Sequence, residues 1–210
     1  MPFKNLFPTV VYQNSLAGAG GTSTSASKLN KELLRECYIY ADLDEEGQKW
    51  SASHYVGGFT SYASMNNLFD ASPTFAELRK KIDKHVGAFS KNLQMDLGGG
   101  KLAMSTCWIN IMPARVNHSL HLHPLSVVSG TYYVSTPKGT SALKIEDPRM
   151  SKFMASPPRD EKSREENQRY VSLQPRAGDV ILFESWLRHE VPPNSSKQDR
   201  VSISFNYEWV

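Results

Sequence analysis

The chain has 210 residues, 40% of them hydrophobic and 21% charged, which suits one compact domain with a sizeable core. Its 24 basic and 21 acidic side chains leave a formal net charge of only +3, and no block of five or six like charges occurs. Electrostatics therefore gives no basis for binding nucleic acid or an anionic membrane, and a small molecule or a protein side chain is the expected substrate. Cys37 and Cys107 lie far apart in apolar-patterned segments and are expected to be reduced packing residues. The opening MPFKNLFPTVVYQ has no apolar stretch of signal-peptide length, and no run nears membrane-spanning length, so a cytoplasmic protein is expected.

In chain order, Phe7 to Gln13 predicts a short strand, and AGAGGTSTSAS after it predicts a mobile surface loop. Ser27 is placed to cap a helix running to about Ala41, with Leu29, Leu33, Leu34 and Cys37 on one face. A second helix begins at Ser72–Pro73 and carries Phe75, Leu78, Ile82, Val86, Phe89 and Leu93 at steps of three and four, with LGGG closing it. His85 on this helix is expected to face solvent.

After Gly100 the texture changes. STCWINIM, SVVSGTYYV, SALKIED, RYVSLQP, GDVILFES and VSISFNYEW are short β-branched and aromatic runs separated by turn residues. The polar stretch from Arg149 to Arg169 interrupts them, as a disordered insertion or a lid over a site. The sequence thus predicts one domain over 1–210, in which 1–100 supplies a strand and supporting helices and 101–210 a β core. In the last run Val201, Ile203, Phe205, Tyr207 and Trp209 alternate with Ser202, Ser204, Asn206 and Glu208, and Arg200 joins the polar set. That polar face is either solvated or the lining of a ligand cavity.

Three of the six histidines fall within NHSLHLHPLS. His121 and His123, two apart in an extended segment ended by Pro124, point the same way, whereas three-residue spacing turns His118 to the opposite face. An HxH pair alone is more often structural than metal-binding. His189, in WLRHEVPPN, offers a third imidazole at another strand edge. A paired motif with a distal histidine suits a non-haem iron facial triad with open positions, and the lack of a cysteine partner argues against structural zinc. Arg200 and Ser202 in RVS add a fork of donors and a hydroxyl, which is what a buried carboxylate requires.

The ordered elements HLHPLSVVSGTYYV, IEDPRM, LQPRAGDVILFESWLRHEVPPN and RVSISFNYEW closely resemble the Fe(II)/2-oxoglutarate-dependent dioxygenase superfamily, in its prolyl-hydroxylase-like branch. The resemblance covers about Cys107 to Trp209. It implies a mainly β fold with flanking helices (α+β), a double-stranded β-helix or cupin-like jelly roll backed by two N-terminal helices. Fe(II) and 2-oxoglutarate are the implied cofactor and cosubstrate. His121 matches the first iron ligand and His189 the distal one. His123 stands where most of the superfamily has Asp or Glu, which leaves a three-histidine site more cationic. Asp147 in IEDPRM is the alternative source of a carboxylate. Arg200 and Ser202 match the pair that grips the distal carboxylate of 2-oxoglutarate. Tyr133, or Tyr132 after a one-residue slip, matches a tyrosine touching that carboxylate, and Asn110 is a candidate for the cosubstrate's other end. The implied reaction is hydroxylation of an unactivated C–H bond with release of succinate and CO2. Two rival readings are a three-histidine cupin-type dioxygenase that uses no 2-oxoglutarate and a non-catalytic jelly-roll binding module. Loops at 50–69 and 149–169 are the expected specificity elements, with Tyr55, Phe59 and Tyr62 assigned to packing.

Overall fold

The structure, a computed structural model, describes residues 3–16 and 24–210. In chain order its elements are β1 (Val11–Ser15), α1 (Thr24–Leu43), α2 (Glu45–His54), β2 (Phe59–Thr60), α3 (Leu68–Ala71), α4 (Pro73–Asn92), β3 (Leu102–Met112), β4 (His118–His121), β5 (Val128–Ser135), β6 (Leu143–Glu146), β7 (Tyr170–Leu173), β8 (Asp179–Glu184), β9 (His189–Val191) and β10 (Arg200–Trp209). All strand pairs are antiparallel. They form a six-stranded sheet in the order β1-β8-β5-β10-β3-β2 and a four-stranded sheet in the order β4-β9-β6-β7.

Period-two alternation explains how one sheet serves two cores. Val180 and Leu182 of β8, Ile109 of β3 and Val201, Ile203, Phe205 and Tyr207 of β10 face the helices, where they pack with Leu29, Leu33, Phe75, Leu78, Ile82 and Val86. The intervening Ile181, Phe183, Met112 and Tyr133 face the other sheet and pack with Leu143, Ile145 and Val191. Helix α4 starts as its sequence predicts, since Ser72 Oγ accepts from Thr74 N–H at 3.1 Å with Pro73 in the first turn. Cys37 and Cys107 are buried free thiols, and burial pushes Cys107 up to about 12, which keeps it protonated and inert.

The differences from expectation have local causes. The first strand is Val11–Ser15 because its partner is β8, whose residues 179–183 set the register. Phe7 instead takes a φ of 57° and is exposed. Helix α1 begins at Thr24, so Ser27 lies inside it, and residues 17–23 of the expected loop lie outside the described residues. Two helices become four, α2 being capped by Asp44, whose carboxylate accepts from Gly47 N–H at 2.9 Å. Helix α4 ends at Asn92, before the glycines, with Gln94 in the left-handed region at φ 53°. His85 is half-buried: its Nδ1 hydrogen-bonds the Tyr12 hydroxyl at 2.8 Å, tying α4 to β1. Residues 149–169 form two 3-10 turns, Met150–Lys152 and Glu165–Asn167. Among the described residues no helix is long and apolar enough to cross a membrane.

Ile82 is fully buried between α4 and the large sheet. Ile82→Ala is expected to lower the unfolding free energy by ~2–5 kcal/mol. Urea denaturation measures this, and a change within experimental error would contradict the packing described.

Candidate metal centre

Strand pairing brings the first two histidines together. His121 ends β4 and His189 begins β9, and the two are direct partners in the antiparallel ladder, with ring centroids 4.4 Å apart. His123 follows beyond the strand, held by its backbone N–H donating to Ser185 O at 3.0 Å. One ring nitrogen from each of the three lies within 4.8 Å of the others.

The hydrogen bonds on the remaining nitrogens define what the site can do. His121 Nδ1 lies 2.7 Å from Ser119 O, His189 Nδ1 2.9 Å from Leu187 O, and His123 Nδ1 2.6 Å from the side-chain oxygen of Asn206. Each partner, as assigned, is a carbonyl oxygen that can only accept, so each Nδ1 carries the proton and each Nε2 keeps its lone pair. Three gathered rings, each oriented through its Nδ1 and each keeping an Nε2 lone pair, suit a metal-binding histidine set. Burial pushes His123 down to about 4 and His189 down to about 3, so both are neutral at physiological pH, as ligation requires.

Asn206 is the site residue that sequence reasoning left without a role, although it lay on the polar face of β10. Its Oδ1 accepts from His123 and from Ser129 Oγ at 2.8 Å, and its Nδ2 donates to Thr106 Oγ1 at 3.0 Å. A neutral amide oxygen thus sits behind His123.

The rest of the site lies in a cavity of about 310 Å³ lined by the three histidines, Asn110, Thr131, Arg200, Ser202, Ser204 and Asn206. The polar face of β10 is therefore cavity lining rather than a solvated surface. Arg200 is 2% exposed; its Nη1 donates to Ser202 Oγ at 3.1 Å, and its Nε has no partner among the described residues. Asn110 pairs with Ser202 across β3 and β10 and donates to Ser204 Oγ at 3.1 Å, leaving its buried Oδ1 without a partner. Tyr133 is fully buried behind Arg200, with the guanidinium carbon 5.0 Å from its ring centre, and does not itself line the cavity. Tyr132 donates to Asn30 Oδ1 at 2.8 Å, so of the two tyrosines Tyr133 is the one beside Arg200.

Four expectations are corrected here. His118 shares the cavity with His121, because a bulge sets the three-residue step from His118 to His121 against the two-residue step from Val191 to His189. Its ring stacks on Tyr55 at 4.3 Å. Asp147 lies outside the cavity and pairs with Arg149 at 2.9 Å, and no Asp or Glu is among the described residues lining the cavity. No residue of 149–169 lines it either, whereas Trp50, Tyr55 and Tyr62 from the 50–69 segment do, so these two tyrosines are more than packing.

The fold and site together define a mainly antiparallel β protein with helices, holding a three-histidine group in the cavity between its sheets. Residues 106–206 match the family model described as "Putative 2OG-Fe(II) oxygenase", so the likeness visible in the sequence is to the 2OG-Fe(II) oxygenase family. No curated protein matches the chain. Among solved structures, a prolyl-4-hydroxylase from Pseudomonas putida superimposes with a TM-score of 0.61 at 17% identity, over 95% of this chain and 92% of its own. The non-heme alpha ketoglutarate dependent epimerase SnoN from nogalamycin biosynthesis gives 0.64 at 15% identity, over 96% and 77%. HygX from Streptomyces hygroscopicus, with nickel, 2-oxoglutarate and hygromycin B bound, gives 0.60 at 17% identity, over 96% and 83%. At these identities the likeness establishes the fold.

The buried histidines make the metal-free protein sensitive to acid. Their folded pKa values lie below the ordinary 6.5, so the unfolded chain binds more protons between about 6.5 and 4. Their contribution to stability is complete above the ordinary value and is lost as the pH falls through that window. The melting temperature of metal-free protein is expected to drop between pH 7.5 and pH 5, and less steeply in His123→Gln. Equal slopes would place His123 in water.

Proposed function

We propose that the chain is an Fe(II)- and 2-oxoglutarate-dependent oxygenase whose two sheets form the double-stranded β-helix of that family. The carrying observation is that three histidine rings, with one nitrogen of each within 4.8 Å of the others, line one cavity with a desolvated guanidinium whose Nε lacks a partner among the described residues. His121, His123 and His189 would hold Fe(II). Arg200 and Ser202 would hold the distal carboxylate of 2-oxoglutarate, since a buried cation with spare donors is stabilised by a bidentate acid. The unpartnered Asn110 Oδ1 beside them would accept from a water or from the substrate. Tyr133 supports Arg200 from behind and keeps water off it.

Bound Fe(II) and 2-oxoglutarate supply activation of O2, chemistry that side chains alone do not provide, and the proposed outcome is a hydroxylated C–H position with succinate and CO2 as co-products. The chain's own contribution is position and field. The Nδ1 bonds orient the three rings, and the strand-borne Arg200 and Ser202 would fix the cosubstrate relative to them.

A specific observation favours a second reading. The cavity lining contains no carboxylate among the described residues, which also suits a three-histidine dioxygenase that binds substrate without 2-oxoglutarate. Arg200 separates the two. Under the preferred reading, Arg200→Lys raises the Kd for 2-oxoglutarate roughly 10- to 100-fold while metal binding is kept, because one ammonium cannot replace the fork. Calorimetry on Fe(II)-loaded protein under anaerobic conditions reads both. An unchanged Kd, or no 2-oxoglutarate binding to the native protein, supports the second reading.

Metal binding itself has two further tests. His189→Ala is expected to abolish stoichiometric Fe(II) binding, and Asn206→Ala to weaken it roughly 10- to 100-fold by releasing the His123 ring. Native protein that binds no metal at neutral pH would remove both enzymatic readings.

A further inference from the structure

We propose that the mouth of the cavity is a subsite for a neutral aromatic ring, an inference that names the substrate class and rests on the oxygenase reading. Four rings run outward from the metal centre along one wall. Trp108 lies 5.8 Å from the His123 ring, Tyr62 meets Trp108 edge-on at 5.1 Å, Trp50 is 6.5 Å from Tyr62, and His54 stacks on Trp50 at 4.4 Å. All four line the cavity, from buried Trp108 to Tyr62 at 48% exposure. Trp108 and Tyr62 belong to neither hydrophobic core, so core packing does not account for them.

The charges around the cavity narrow the class. Arg200 is the one Asp, Glu, Lys or Arg among the described residues lining it, and it is buried. An ammonium-bearing substrate would find no carboxylate and would face a cationic centre. An anionic substrate would find no second Lys or Arg among the described residues lining the cavity. Of the lining groups that could grip a sugar, Asn110 and Thr131 already hydrogen-bond Ser204, and Asn206 is engaged by His123, Ser129 and Thr106. A flat apolar ring, by contrast, gains edge and face contacts along the whole wall, with Leu122 and Pro124 adding apolar surface. Such a ring could belong to a free small molecule or to the side chain of a protein.

The test titrates protein loaded with Zn(II) and 2-oxoglutarate, and metal-free protein in parallel, with 4-methylphenol and indole. A terminally blocked Gly-Tyr-Gly peptide represents the protein source, and methyl β-glucoside, benzyltrimethylammonium and a blocked Gly-Pro-Gly peptide represent other chemistries. Ligand-observed NMR gives the affinities. The neutral aromatic probes are expected to bind more tightly than the other three, and Tyr62→Ala to weaken them roughly three- to tenfold while Tyr62→Phe does not. Tighter binding of the tyrosine peptide assigns the ring to a protein side chain, and tighter binding of 4-methylphenol to a small molecule; both support the subsite. Preference for the glucoside, the ammonium or the proline peptide, or no effect of Tyr62→Ala, overturns it. Should Zn(II) or 2-oxoglutarate fail to bind, the oxygenase reading falls, while the titration of metal-free protein still decides whether the wall takes an aromatic ring.

Discussion

Strand β10 is the constraint on which the rest depends. It lies in the middle of the large sheet, paired with β3 and β5, and is covered on both faces. One face is apolar and seals the sheet against α1 and α4. The other presents Arg200, Ser202, Ser204 and Asn206 to the cavity between the sheets. A two-residue period cannot be shifted by one position without placing Ile203 and Phe205 in the cavity and Arg200 among the helices, so core and site enforce the same register. Burying a guanidinium is unfavourable unless it is paired, and this strand fixes both the burial of Arg200 and the cavity it faces.

The histidine group depends on that strand and on the small sheet at once. His121 and His189 are held by pairing between β4 and β9, whereas His123 is oriented by Asn206 from β10. The centre is thus assembled across the space between the two sheets, and docking of those sheets sets its geometry. Asn206 offers a neutral acceptor where a carboxylate would draw the proton more strongly, and no Asp or Glu is among the described residues lining the cavity. Arg200 is the one charged Asp, Glu, Lys or Arg side chain among the described residues lining the cavity.

Much of this was legible in one dimension because it follows from short periods. The six β runs after Gly100, the apolar stripe of α4 and the two-sided pattern of β10 are local regularities, and each corresponds to an element of the structure. Where the reading failed, a partner distant in sequence decided the outcome. Strict alternation placed His118 on the wrong face because a bulge depends on the strand opposite. His85 looked solvated until β1 brought the Tyr12 hydroxyl to it. Tyr55 and Tyr62 looked like packing because nothing in their segment announces that α2 and β2 carry it to the cavity wall. Asp147 remained a possible acid until its pairing with Arg149 removed it.

The sequence by itself determined the chemistry on offer: three imidazoles, a fork of donors beside a hydroxyl, and a polar face alternating with an apolar one. These are properties of residue type and of spacing along a strand, and they hold wherever the strand is put. Only the tertiary structure decided which nitrogen of each imidazole is free, which polar atoms lack partners, and which aromatic rings stand between the histidines and solvent. Those depend on groups far apart in sequence, such as His123 and Asn206, 83 residues apart, meeting at hydrogen-bond distance. Sheet docking, which no local pattern encodes, brings them together.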